Sequence, residues 1–145
     1  MNSAEKHYKG LKLETSKQKS KSHTKSSLLK AQHHHMAGRF SQAEAIYSEV
    51  LEYEPHNPDA LHLLGVIKHR QGNVECAVDL ISRALEAEPN FPEALNNLGN
   101  AFIDLNKFQE AVDSYNLSLD INPKYQLAKD NLCRALYEFG NYLHK

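Results

Sequence analysis

The amino-acid sequence predicts an all-α fold, a solenoid built of stacked antiparallel helix pairs. Two observations support this prediction. The 145-residue chain resembles itself at a fixed offset of 34 residues, and within each period the apolar residues follow the three-and-four step of one helical face. Because a single helix pair of this kind cannot bury its own apolar face, successive pairs must stack on one another.

The repeat is visible in seven columns of the sequence, whose members lie 34 positions apart. The columns are Ala43, Ala77 and Ala111; Pro55, Pro89 and Pro123; Leu51, Leu85 and Leu119; Tyr47, Ile81 and Tyr115; Gly38, Gly72, Asn106 and Gly140; Phe40, Val74, Phe108 and Tyr142; and Leu64, Leu98 and Leu132. Agreement of so many columns at one offset indicates a repeat architecture rather than an ordinary helical bundle. The predicted units are a divergent one at 24–57, two full ones at 58–91 and 92–125, and a partial fourth unit or capping helix at 126–145.

Residues 1–23 precede the repeat and differ from it in composition. Seven lysines in residues 1–26 outnumber Glu5 and Glu14, which gives that stretch a net charge of +5 and leaves −6 for the remaining residues. The segment is also rich in serine and lacks helical periodicity, so we predict a disordered, solvated tail. The alternative is a weak electrostatic contact with RNA or anionic lipid.

Each full unit divides into two helices at proline and glycine residues. Pro58 stands where the first turn of a helix tolerates a missing N–H, Gly72 breaks the apolar run, and Pro89 stops the next helix. The spacing therefore predicts helices over 58–71 and 74–87, and the unit that begins at residue 92 repeats the plan.

Small residues predict a close approach of the two backbones in each pair. Gly65 on a first helix faces the second helix that carries Ala77, and Gly99 faces the one that carries Ala111. Cys133 takes the same position in the fourth unit, so we predict that it is a small, buried packing residue.

At these positions the chain resembles the tetratricopeptide repeat. The matching residues are Leu61-x2-Leu64-Gly65-x2-Lys68, Ala77-x3-Ile81 and Pro89 in one unit, and Leu95-x2-Leu98-Gly99-x2-Phe102, Ala111-x3-Tyr115 and Pro123 in the next. The departures are leucine at the aromatic position (Leu61 and Leu95) and a first unit that keeps only the signature of the second helix. The resemblance covers residues 24–143, and it implies a right-handed superhelix whose first helices line a concave groove for an extended peptide.

Carrying the groove positions across by resemblance gives a set of candidate binding residues. They are His62, Val66, His69, Arg70, Asn96, Asn97, Asn100, Asn131 and Arg134. Asn96 and Asn97 lie off the apolar stripe, so we expect neither to be a core residue. An amide both donates and accepts, which suits recognition of a peptide backbone. The alternative is that these asparagines only solvate the face.

Two subtypes of the family use such a groove differently. Chaperone-binding members hold a C-terminal carboxylate in a clamp of Lys, Asn, Asn, Lys and Arg, and this chain matches it only in part, because Val66 and Glu138 replace an amide and a cation. Asn97 and Asn131 resemble instead the inner asparagine row in the repeat region of O-linked N-acetylglucosamine transferases. That row is short here, since Leu63 stands at the preceding position.

The sequence contains no P-loop, dinucleotide-binding or nucleophile-elbow motif, so we predict neither enzymatic activity nor a cofactor. Consecutive histidines at 33–35 point about 100° apart on a helix and do not converge on one ion, so we predict no metal site. Two cysteines far apart predict no disulfide scaffold, and no apolar run suits a membrane span or a secretory signal. We therefore expect a cytoplasmic protein.

The last helix predicts a docking surface, because apolar residues lie on more than one of its sides. These residues are Leu127, Leu136, Tyr137, Phe139, Tyr142 and Leu143. The leading hypothesis for the chain is a protein–protein interaction module or scaffold that binds an extended peptide segment of another protein, with neither nucleic acid nor membrane as its partner. The alternatives are a non-catalytic, substrate-selecting arm of a glycosyltransferase-type enzyme, and a structural repeat protein that self-associates through this helix.

Overall fold

The computed structural model describes residues 2–144, apart from the side chain of Tyr8, and over that range it contains seven α-helices and no strand. The helices are α1 (Ser3–Met36), α2 (Phe40–Tyr53), α3 (Pro58–Arg70), α4 (Val74–Ala87), α5 (Pro92–Asp104), α6 (Phe108–Ile121) and α7 (Gln126–Leu143). The chain forms two compact units, Met1–Val50 and Leu51–Lys145. The predicted all-α class is confirmed.

Local sequence explains where the helices of the second unit begin and end. The side chain of Asn57 accepts a hydrogen bond from the backbone N–H of Ala60 at 3.0 Å, and Pro58 follows it in the first turn of α3. Gly72 ends this helix in the left-handed conformation (φ +81°), which glycine adopts without strain. The helices predicted over 58–71 and 74–87 are confirmed as α3 and α4.

The predicted close approach within each helix pair is confirmed. A Cβ on Gly65 would lie 2.6 Å from a side-chain carbon of Ile81, and one on Gly99 would lie 2.6 Å from the ring of Tyr115. In this unit each helix packs on its successor from α3 to α7, and the first helices also touch one another directly, α3 against α5 and α5 against α7.

The segment predicted as a disordered tail differs in the structure, where α1 runs through it from Ser3. The Asn2 side chain accepts hydrogen bonds from the N–H groups of Ala4 and Glu5, and the Glu5 carboxylate accepts from the N–H of Asn2. Lysine, glutamate, glutamine and leucine are good helix formers, so local propensity favours a helix although no face is apolar. The described side chains before Thr24 are exposed, as a solvated segment requires.

The prediction that Cys133 is buried is wrong, because Cys133 is exposed on α7. At the equivalent positions, α4 covers Gly65 and α6 covers Gly99, whereas none of the described helices covers that side of α7. Several apolar residues of α7 are also exposed. They are Leu127, Leu136, Tyr137, Tyr142 and Leu143. Phe139 is half-buried, and its ring stacks on Phe108 at 5.9 Å between centroids, while the partly exposed ring of Tyr142 also lies 5.1 Å from Phe108.

Candidate functional site

The predicted binding residues all lie on the first helices α3, α5 and α7. Three side-chain hydrogen bonds link these helices directly, and each joins residues 35 positions apart. The bonded pairs are His62 with Asn97, His69 with Asp104, and Asn96 with Asn131. A repeat of 34 residues places equivalent residues of successive repeats 34 positions apart. Each of these bonds spans 35 positions, so a residue bonds the one that follows its equivalent in the next repeat. We call these three bonds the cross-repeat ladder.

His62 is buried, with 5% of its surface exposed, and the ring of Phe91 lies against its imidazole at 4.7 Å between centroids. The side-chain amide nitrogen of Asn97, Nδ2, lies 2.8 Å from His62 Nε2. Since an amide nitrogen only donates, Nε2 must accept and carry no proton. Asn97 is half-buried, and among the described residues no side chain or backbone group bonds its Oδ1.

Asn96 corrects the expectation that it lies outside the core, because its side chain is fully buried. The apolar stripe describes only the face of α5 that packs on a second helix. A first helix in a stack also packs on neighbouring first helices, and there Asn131 Nδ2 donates to Asn96 Oδ1 at 2.9 Å. Asn96 therefore holds Asn131 in place and does not line an open face. Its own Nδ2 has no hydrogen-bond partner among residues 2–144.

Asn100 lies one turn beyond Asn97 on α5 and is held by a residue of α6. The buried Tyr115 hydroxyl donates to Asn100 Oδ1 at 2.7 Å. Burial raises the pKa of Tyr115 to about 12, against the opposing effect of the nearby Arg134 guanidinium. The Nδ2 of Asn100 has no partner in the described part of the chain, and its side chain is half-buried.

The remaining predicted residues are spread over the same helices. Arg134 is exposed and donates to Asn131 Oδ1 at 3.1 Å, so both ends of the Asn131 amide are bonded. His69 pairs with Asp104 at 2.6 Å between Nε2 and Oδ2. Val66 is half-buried and Arg70 is exposed.

Sequence reasoning missed Tyr115 as part of this polar cluster, because it treated the residue only as a filler of the gap between helices. A signal was present. The equivalent position in the preceding repeat is Ile81, and a tyrosine in place of an aliphatic residue brings a hydroxyl that needs a partner when buried.

Other surface features do not coincide with these residues. An open cleft of about 310 Å³ lies between Asn106, Phe108, Glu138, Asn141 and Tyr142, of which only Glu138 stands at a groove position of the resemblance. Within residues 2–144, histidine, cysteine and carboxylate side chains form no cluster of three that suits a metal ion. The described helices include none with the length and apolar content needed to cross a bilayer.

Comparison with protein families identifies the repeat. One tetratricopeptide repeat model matches residues 34–98 and another matches residues 92–125, which together span more than half of the chain. The chain belongs to the tetratricopeptide repeat family. The predicted family is thus confirmed, and tetratricopeptide repeats are generally protein-interaction modules.

Solved tetratricopeptide repeat structures share the fold. A mutant O-GlcNAc transferase from Thermobaculum terrenum is 29% identical with a TM-score of 0.79, over 81% of this chain and 22% of that one. The first repeat domain of Spaghetti (RPAP3), bound to an HSP90 peptide of sequence SRMEEVD, is 19% identical with a TM-score of 0.76, over 81% of this chain and 93% of that one. The Sgt2 repeat domain from Aspergillus fumigatus is 18% identical with a TM-score of 0.79, over 85% and 83%. This chain therefore spans about a fifth of the transferase, and no curated protein sequence matches it significantly.

Proposed function

We propose that this tetratricopeptide repeat protein binds an extended segment of another protein across α3, α5 and α7, and that the chain itself is not an enzyme. Asn97 and Asn100 carry the proposal. The fold bonds one end of each amide and leaves the other end without a partner among the described residues: Oδ1 of Asn97 and Nδ2 of Asn100. One acceptor and one donor, a helical turn apart, match the N–H and C=O groups of a peptide backbone.

The surrounding side chains suggest which peptide sequences would bind. Arg70 and Arg134 are exposed cations on α3 and α7, and they favour acidic side chains in the bound segment. His62 does not select acidic side chains in this way, because it is buried and bonds Asn97. Val66 offers a half-buried apolar contact.

The HSP90 peptide on the Spaghetti domain supports an acidic peptide as the type of ligand. This chain lacks part of the corresponding clamp, since Val66 and Glu138 replace an amide and a cation. We therefore expect SRMEEVD itself to bind more weakly than acidic peptides that bind through the main-chain groups of internal residues and not through a C-terminal carboxylate. For the preferred peptides we expect a micromolar dissociation constant, about 8 kcal/mol of binding free energy.

An array of acidic, neutral and basic 12-residue peptides tests the proposal. The double substitution Asn97→Ala and Asn100→Ala should reduce binding of acidic peptides at least about tenfold, the effect of two hydrogen bonds. Asn116→Ala removes an exposed amide from α6 and is the matched control. If the double variant keeps full helicity and wild-type binding, the proposed site is wrong.

The transferase resemblance favours a second candidate, a substrate-selecting arm of a glycosyltransferase-type enzyme. A transferase domain encoded in the same or an adjacent reading frame would support it. The exposed apolar face of α7 favours self-association as a third candidate. Sedimentation at two concentrations separates this from the first, because peptide binding does not require a change of mass with protein concentration.

A further inference from the structure

We infer that His62 is a positioning residue whose protonation decides which end of the Asn97 amide a bound peptide meets. The inference rests on the proposed function, since it concerns the same amide. It gives the peptide-binding face a dependence on pH that arises from one buried imidazole.

The geometry fixes the neutral state. Asn97 Nδ2 and His62 Nε2 are 2.8 Å apart, so the amide donates and the imidazole accepts. The proton of the neutral ring must then be on Nδ1. With Nδ2 committed to His62, the group that Asn97 offers to a peptide is its oxygen, which accepts a backbone N–H.

Protonation reverses this arrangement. An imidazolium has two N–H donors and no acceptor, so Nε2–H would face Nδ2–H across the same 2.8 Å. Two facing donors repel, and the amide relieves the conflict by a half-turn that brings Oδ1 to the ring. Asn97 would then offer Nδ2, a donor, to the peptide. A peptide bound through an N–H at this point loses that hydrogen bond in acid.

Another hydrogen bond of the cross-repeat ladder, a rung of it like the bond of His62 with Asn97, has the same arrangement without a titrating group. Asn96 Oδ1 accepts from Asn131 Nδ2 across the same 35 positions. In both rungs, a buried acceptor on one first helix holds an amide on the next. Because the amide of Asn96 does not titrate, Asn131 should keep one orientation over the whole pH range in which His62 changes.

The charged groups around His62 set what else changes with pH. On α3, Asp59 lies one turn before His62 and His69 lies two turns after it. On α5, Glu93 lies one turn before Asn97, and Asp104 pairs with His69. The acidic residues of α4, which also packs on α3, are exposed. They are Glu75, Asp79 and Glu86. His69 is the other histidine of α3, so it needs its own control.

NMR of the full chain between about pH 5.5 and pH 8 tests the inference without a peptide. At the alkaline end, the imidazole ¹⁵N shifts of His62 should report an unprotonated Nε2, and the side-chain amide signals of Asn97 should then move with the same midpoint as the ring. In His62→Gln, which keeps an acceptor but does not titrate, the Asn97 signals should stay constant. His69→Gln is the matched control and should leave the transition in place. A proton on Nε2 at the alkaline end, or Asn97 signals that ignore the ring, would overturn the inference even if the glutamine variant did not fold.

A binding measurement separates this inference from the proposed function. The probe is a fluorescein-labelled acidic 12-residue peptide from the array described above. Its affinity should fall about fivefold from pH 7.5 to pH 5.5 in the wild type, the loss of one hydrogen bond, and should change much less in His62→Gln. If the probe binds but its affinity does not follow His62, the inference fails alone. If the Asn97 signals follow His62 while neither this probe nor any array peptide binds, the proposed function fails and the control of Asn97 by His62 stands.

Discussion

The carboxylate of Asp104 lies 2.6 Å from Nε2 of His69, and the two residues are 35 positions apart in the sequence. This pair is the most solvent-accessible rung of the cross-repeat ladder, with 25% of the His69 side chain and 54% of the Asp104 side chain exposed. It ties α3 to α5 on the face that we assign to peptide binding. Its partial exposure also determines how much stability it contributes.

We expect Asp104→Asn to lower the free energy of unfolding by less than about 1 kcal/mol, because exposed ion pairs are screened by water. Urea unfolding of the variant and the wild type measures the effect. The difference from the wild type should shrink in high salt. A larger and salt-independent loss would mean that the pair acts as a buried contact.

Substitution of Gly99 by alanine should destabilise the chain. The added Cβ would lie 2.6 to 2.9 Å from three ring atoms of Tyr115, which is fully buried and cannot move away. We expect a loss of about 1 to 3 kcal/mol, seen as a lower thermal midpoint.

Gly140→Ala is the matched control for that substitution. Gly140 also lies within a helix, but a Cβ there would meet nothing within 4 Å. Alanine should therefore stabilise α7 by about 0.5 to 1 kcal/mol. Equal shifts of the thermal midpoint in the two variants would contradict the close packing of α5 on α6.

Tyr115 should make the fold sensitive to alkali. Burial raises its pKa from 10.0 to about 12, so the folded chain keeps a proton that the unfolded chain loses. Stability from this residue is complete below pH 10, falls as the pH rises from 10 to 12, and by pH 12 has decreased by roughly 2 kcal/mol.

Tyr115→Phe tests this pH dependence. The variant should be less stable at neutral pH by about 1 kcal/mol, since it loses the hydrogen bond to Asn100, yet its stability should decline less between pH 10 and pH 12. Denaturant unfolding of both proteins across this range supplies the comparison. Parallel curves would show that the hydroxyl is not protected from solvent.

Asn96 and Asn131 should behave as a coupled pair. Asn96→Ala leaves the Asn131 amide without its acceptor in a buried place, and we expect a cost of about 1 to 3 kcal/mol. The double alanine variant should cost less than the sum of the two single ones, because removing both partners leaves no unpaired group. A double-mutant cycle in urea measures this coupling, and simple additivity would argue against the bond.

The sequence predicted the helices of the repeat because proline, glycine and apolar spacing act locally. Such reasoning does not predict the burial of Asn96. The apolar stripe marks the face of α5 that packs on a second helix, whereas a stacked first helix also has a face that packs on neighbouring first helices. Cys133 illustrates the opposite case: its position in the repeat predicts burial, but burial depends on a neighbouring helix. The offset of 35 rather than 34 that pairs His62 with Asn97 became visible only in three dimensions.

That offset has a consequence for the turns of this chain. Surface turns generally tolerate insertions and deletions. Here a single residue added between α4 and α5 would bring the side chain before Asn97, the buried Asn96, opposite His62 unless the turn bulged to absorb it. The count of residues between successive first helices is therefore a requirement for pairing their polar groups, and lineages or designs that change it must re-create the hydrogen bonds that span the altered turn, here His62 with Asn97 and His69 with Asp104.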